Sequence, residues 1–273
     1  MSNNIFTNKE DNRPIGIFDS GLGGLTVLND LAQSFPYQRF IYLGDLANLP
    51  YGNKSKDNII KCSLRCADFL KRQNVKGIVI ACNTASSYAY SKIKDNIDLP
   101  IFDVISPCAD SVNQSGHTII AVIGTEKTIE SNIYQNSIKS LNQDIQIYNI
   151  ACPLFVPIVE EGLENSSIAQ ATIDLYMKKL KPLNIEGIVL GCTHYPILSD
   201  SIEKYFNNSI TIFKSGDSLA RKYKNKANYD EAGPKSPTLV DIEYYVTDSP
   251  SRFIKYGNKF SFQKICNANL TKL

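Results

Sequence analysis

A chain of 273 residues exceeds what one hydrophobic core usually supports and suits two domains. A hydrophobic fraction of 43%, a charged fraction of 21% and a formal net charge of +2 are ordinary for a globular protein and leave no nucleic-acid footprint. No apolar run reaches the ~20 residues that span a bilayer. The stretch MSNNIFTNKEDNRP lacks a signal-peptide core, and the seven cysteines have no dense spacing, so the expected compartment is the cytoplasm and the thiols are read as free.

Short apolar, β-branched runs predict strands at Ile15–Asp19, Phe40–Leu43, Gly77–Ala81, Ile101–Val104, Thr118–Ile123, Ile145–Ile150, Gly187–Gly191 and Ile210–Phe213. Helical spacing falls between them, as over 55–73, 84–97, 126–141, 166–181 and 194–206. A further strand is expected at Tyr244–Thr247 and a helix from about Pro250, while 225–240 reads as a surface loop. Alternating strands and helices predict the α/β class, with parallel sheets covered by helices. The chain divides near Ser106-Pro107 into two similar parallel-sheet lobes facing each other across a central cleft. Residues 14–105 with 215–273 form the first, carrying Asp19 and Cys82. Residues 106–214 form the second, carrying Glu160, Cys192 and His194.

A repeat supports that division. Residues 77–84 read GIVIACNT and residues 187–194 read GIVLGCTH. Each apolar run ends at a cysteine, Cys82 or Cys192, at the carboxyl edge where open α/β sheets build their sites. A helix start just beyond each strand is expected to lower the thiol's pKa. A lone cysteine is more often a buried structural residue, but duplication in matched contexts favours function. One thiol on each wall of a cleft suits removal of a proton from one face of a carbon and its return to the other.

The other candidates are weaker one by one. Asp19-Ser20-Gly21-Leu22-Gly23-Gly24 follows the first strand; it serves either a ligand or a helix cap, and matches no dinucleotide or Walker fingerprint. His194 is placed to exchange a proton with Cys192, although a single histidine is more often structural. Tyr51 and Gly52 form a site loop or a simple turn, and Thr125 ends another strand. Glu160 follows an apolar run; alone, a solvated acid is the commoner case. Cys62 and Cys66, four apart, lack a second pair for a metal and are assigned to packing, as are Cys108, Cys152 and Cys266. His117 receives a structural reading.

At FDSGLGGL (18–25), PYG (50–52), ACNTA (81–85), IGT (123–125) and GCTHYP (191–196), the chain resembles glutamate racemases of the cofactor-independent aspartate/glutamate racemase superfamily. The resemblance runs over nearly the whole chain. It implies interconversion of L- and D-glutamate for peptidoglycan, with no cofactor or metal, in a two-domain enzyme that is commonly a homodimer. It implies Cys82 and Cys192 as the acid/base pair and Asp19, Glu160 and His194 as their helpers. It places substrate contacts on Asp19, Ser20, Tyr51, Gly52, Asn83, Thr84, Thr125, Thr193 and His194. Two departures stand out: Asn48 where the family has arginine before PYG, and Ser106-Pro107-Cys108 where EPG is usual. The alternatives are an aspartate racemase or another small-diacid isomerase, a non-catalytic regulatory protein, and a cysteine hydrolase using Cys192 and His194, which leaves Cys82 without a role.

Overall fold

The structure is a computed structural model describing residues 5–7, 10–226 and 239–273. Most of the loop expected over 225–240 lies outside the described residues. Strands β1 (Ile15–Asp19), β2 (Phe40–Gly44), β3 (Gly77–Ile80) and β4 (Ile101–Asp103) build the first sheet, and β5 (Ile119–Gly124), β6 (Gln146–Ala151), β7 (Gly187–Gly191) and β8 (Thr211–Lys214) the second. The chain then returns: β9 (Ile242–Val246) lies beside β2, and β10 (Asn269–Leu270) beside β9. Among the described residues the sheet orders are β10-β9-β2-β1-β3-β4 and β6-β5-β7-β8, all pairs parallel. The protein is thus α/β, with two parallel sheets and interleaved helices.

The helices are α1 (Leu25–Ser34), α2 (Lys56–Arg72), α3 (Asn83–Asn96), α4 (Ile105–Gln114), α5 (Glu126–Glu130), α6 (Ile133–Leu141), α7 (Phe155–Glu160), α8 (Ser167–Met177), α9 (Ser199–Tyr205), α10 (Ser215–Lys226) and α11 (Pro250–Gly257). Side-chain caps start several of them. Ser55 accepts from the N–H of Asn58, Thr125 from Thr128 and Ser166 from Ala169. The single helix expected over 126–141 is broken, because Asn132 adopts a left-handed conformation (φ 52°) between α5 and α6. The segment 194–206 opens as a 3-10 turn, Tyr195–Leu198, with Pro196 inside it.

The expected break near Ser106-Pro107 falls inside α4. Asp103 Oδ1 accepts the N–H groups of Ile105 and Ser106 at 2.7 Å each, and Pro107 sits in the first turn, where its missing N–H costs nothing. Helix α4 carries the chain from the first sheet to the second. Helix α10 follows β8 and packs on both α1 and α4.

Strand alternation divides the core. Ile15 and Ile17 face a continuous cluster that also holds Ala121, Ile123, Phe155 and Leu190, so the two sheets share apolar packing. Phe18, Ile41 and Ile80 face the outer side of the first sheet with α2 and α3, and Ile120, Val122 and Val189 the outer side of the second with α4 and α6. No helix among the described residues is long and apolar enough to cross a membrane.

Candidate active site

Parallel strands bring their carboxyl ends to one rim. The ends of β1, β3, β5 and β7 deliver Asp19-Ser20, Cys82, Thr125 and Cys192. Together with the Tyr51-Gly52 turn and α7 they surround a cavity of about 190 Å³, whose walls include both Cys82 and Cys192.

Asp19 stands behind the wall, fully buried. Its Oδ2 accepts the Gly21 N–H at 2.8 Å and its Oδ1 accepts the Thr193 hydroxyl at 3.4 Å, so it joins the first lobe to the second. The Tyr42 hydroxyl donates to the Gly21 carbonyl at 2.8 Å and fixes the glycine loop. Gly23 is required by close approach: a β-carbon there would collide with Thr193 Oγ1 and His194 Nδ1. Gly23→Ala is therefore expected to lower stability by ~1–3 kcal/mol, the usual cost of overpacking, and to lower activity with it. Parallel thermal melts and rate measurements check this; a variant equal to the parent in both would contradict the contact.

Cys82 caps α3 with its own sulfur, which accepts the Ala85 N–H at 3.5 Å and lies 3.9 Å from the Ser20 hydroxyl. The expected lowering of its pKa is overturned. Burial pushes the Cys82 thiol well above its ordinary value and the Asp19 carboxylate adds to that; the Ala85 N–H opposes both without prevailing.

On the facing wall the groups form a chain. His194 Nδ1 is 3.8 Å from Cys192 Sγ, and His194 Nε2 is 3.2 Å from Glu160 Oε1. Burial alone would lower the His194 pKa. Its contacts with Cys192 and Glu160 outweigh burial and push it up to about 10, so the imidazole is charged at neutral pH. Burial likewise opposes the shift of Glu160, and the His194 contact prevails to hold that carboxyl below the usual range. The Phe260 ring stands edge-on to His194 at 6.0 Å, which brings the C-terminal segment to the site.

The remaining predicted residues also converge. Ser20, Tyr51, Gly52, Asn83, Thr84 and Thr125 all line the cavity, as do Thr193, His194 and Glu160. Asn83 Oδ1 accepts the Tyr134 hydroxyl at 2.5 Å. Thr84 Oγ1 lies 3.0 Å from Thr125 Oγ1 and 3.2 Å from Thr128 Oγ1, a hydroxyl cluster linking α3 to α5. Tyr51 directs its hydroxyl to Asp45 Oδ2 at 2.7 Å. Asn48, at the position of the missing arginine, donates to Asp45 Oδ1 at 3.0 Å.

Thr128, Tyr134 and Asp45 were not singled out from the sequence. Thr128 has a local signal, three residues past the capping Thr125; Tyr134 has none. Cys62, Cys66, Cys108 and Cys152 are buried, whereas Cys266 is exposed, contrary to its packing assignment. His117 bonds Thr211 Oγ1 at 2.8 Å near the surface.

Two parallel sheets that each present a buried thiol to one cavity define an α/β enzyme site, and residues 23–222 match the Asp/Glu/Hydantoin racemase family. A glutamate racemase of Sulfurihydrogenibium sp. (strain YO3AOP1) is 44% identical over 248 residues, covering 90% of this chain and 92% of that one. The structure of a Francisella tularensis glutamate racemase in complex with D-glutamate superposes with a TM-score of 0.86 at 34% identity, covering 96% and 98% of the two chains. A Pyrococcus horikoshii aspartate racemase homologue, 18% identical with a TM-score of 0.58 over 80% of this chain and all of that one, shares the fold alone. The chain belongs to the glutamate racemase family, and is an amino-acid racemase, an isomerase.

Proposed function

We propose that this chain interconverts L- and D-glutamate by a two-thiol, two-base proton transfer that needs no cofactor. The observation that carries the proposal is the pair of buried thiols, one from each sheet, on the walls of one cavity. The Cα–H beside an amino acid's carboxylate is a weak acid. One sulfur enters the reaction as thiolate and takes that proton, leaving a planar carbanionic carbon, and the opposite thiol gives its own proton to the other face. Each turnover moves one proton onto one sulfur and one proton off the other, and the next turnover in reverse restores them.

Cys82 is assigned to proton removal from D-glutamate and Cys192 to removal from L-glutamate. His194, 3.8 Å from Cys192, is placed to exchange a proton with that sulfur, and Glu160 holds the ring. Asp19 and Ser20 serve Cys82. Hydroxyl and amide donors from Asn83, Thr84, Thr125 and Thr193 stabilise the charge that develops on the carboxylate. Residues 14–105 with 215–273 and residues 106–214 act as the two lobes. The product supplies peptidoglycan, and the enzyme works in the cytoplasm as a homodimer.

Incubation with L-glutamate in D₂O, without added cofactor, followed by chiral separation and mass analysis tests this. D-glutamate carrying one deuterium at Cα is the expected product. Turnover of aspartate with none of glutamate would assign the site to the shorter diacid instead.

A further inference from the structure

We propose that Asp45 is a positioning residue which, through the hydroxyl of Tyr51, holds the 49–53 turn against the substrate; the proposal rests on the glutamate reading of the cavity. Asp45 follows β2 and is fully buried, yet the proton transfers do not use it. Its Oδ2 accepts the Tyr51 hydroxyl at 2.7 Å, and its Oδ1 accepts the Asn48 amide at 3.0 Å and the Thr247 hydroxyl at 2.9 Å. All three donors are neutral. A buried carboxylate is costly unless hydrogen-bonded, so this one is held by the groups it organises.

Those groups belong to two parts of the fold. Asn48 immediately precedes the turn, and Tyr51 lies on it, lining the cavity with Leu49, Pro50, Gly52 and Asn53. Thr247 follows β9, which brings the C-terminal segment against β2; its hydroxyl also accepts the Ala47 N–H at 2.9 Å. The Asp45 N–H donates to the Asp19 carbonyl at 3.0 Å, which ties this anchor to the loop behind Cys82. Tyr51 is 1% exposed with its hydroxyl turned to Asp45. That hydroxyl is therefore an anchor, and the turn meets the substrate through its other atoms. Asn48, at the departure from the family pattern, completes the same anchor.

The test is a kinetic double-mutant cycle on the full chain with Asp45→Asn and Tyr51→Phe, using glutamate as substrate and thermal melts alongside. Each single change is expected to raise KM roughly ten- to hundredfold with a smaller change in kcat, because a charge-assisted bond to the turn is lost while the thiols stay in place. The double variant should be no worse than the poorer single one, since both remove the same link. Parent-like KM in folded single variants would overturn the proposal. Additive effects would also overturn it, by giving the hydroxyl its own contact with substrate, as would a fall in kcat at unchanged KM. If Asp45→Asn fails to fold, Thr247→Val, which removes another donor to the same carboxylate, replaces it in the cycle: non-additive KM effects with Tyr51→Phe support the anchor, and additive effects or a parent-like KM in Tyr51→Phe refute it. A parent enzyme inactive on glutamate would instead refute the proposed substrate.

Discussion

Replacing either Cys82 or Cys192 by serine is expected to lower racemisation in both directions by roughly 10²–10⁴-fold, the usual contribution of a positioned acid or base. A serine hydroxyl is too weakly acidic to stand in for a thiolate at neutral pH, and every turnover uses both sulfurs. The half-reactions should separate the two. Cys82→Ser keeps the sulfur that faces L-glutamate, so hydrogen exchange or elimination from an L-analogue with a leaving group should survive. Cys192→Ser should retain the same partial reaction on the D-form. Cys62→Ser and Cys266→Ser, neither of which lines the cavity, should behave as the parent. Near-parent racemisation by either Cys82→Ser or Cys192→Ser would sink the two-thiol mechanism.

Glu160→Gln is expected to lower kcat/KM by roughly ten- to hundredfold, the worth of a hydrogen bond to a charged group. Glu160 accepts from His194 at 3.2 Å and helps to hold its pKa up to about 10 against the ordinary 6.5. A raised folded-state pKa stabilises the protein fully below 6.5, and that contribution is lost as pH rises toward about 10. The parent should therefore lose stability across this interval, whereas Glu160→Gln should start lower and change less. The alkaline fall of the rate should move to lower pH in the same variant. Melting temperature and rate, each measured as a function of pH, check both statements. Profiles that superpose on the parent's would remove Glu160 from the proton path.

The strands were legible because their signal is local. Ile15–Asp19 and Gly187–Gly191 match the structure residue for residue, each a β-branched run bounded by turn-forming residues. Helix ends were less so. The break at Asn132 depends on one backbone conformation that asparagine tolerates but does not dictate, and the start of α4 depends on the Asp103 carboxylate reaching two N–H groups across the expected boundary. In the site, the paired Cys82 and Cys192 could be read from repetition. What surrounds them could not. The Cys82 thiol is raised by burial, and burial is a property of the folded chain. Thr193 reaches Asp19, and Tyr134 reaches Asn83, only because distant segments meet.

The hydroxyl cluster between α3 and α5 is a polar joint between the two sheets. Cys82 and Cys192 are 5% and 6% exposed, and what they expose faces the cavity. Thr84, Thr125 and Thr128 join α3 to α5 with neutral hydroxyl contacts, and the Tyr88 hydroxyl adds one to the Lys127 carbonyl. Each is worth about 1 kcal/mol net, and water replaces it when it breaks. The shared apolar core and the packing of α10 on α1 and α4 have no such substitute in water. The two sheets are thus joined along one seam that is apolar and another that is hydroxylic, and of the two the hydroxylic seam costs less to wet.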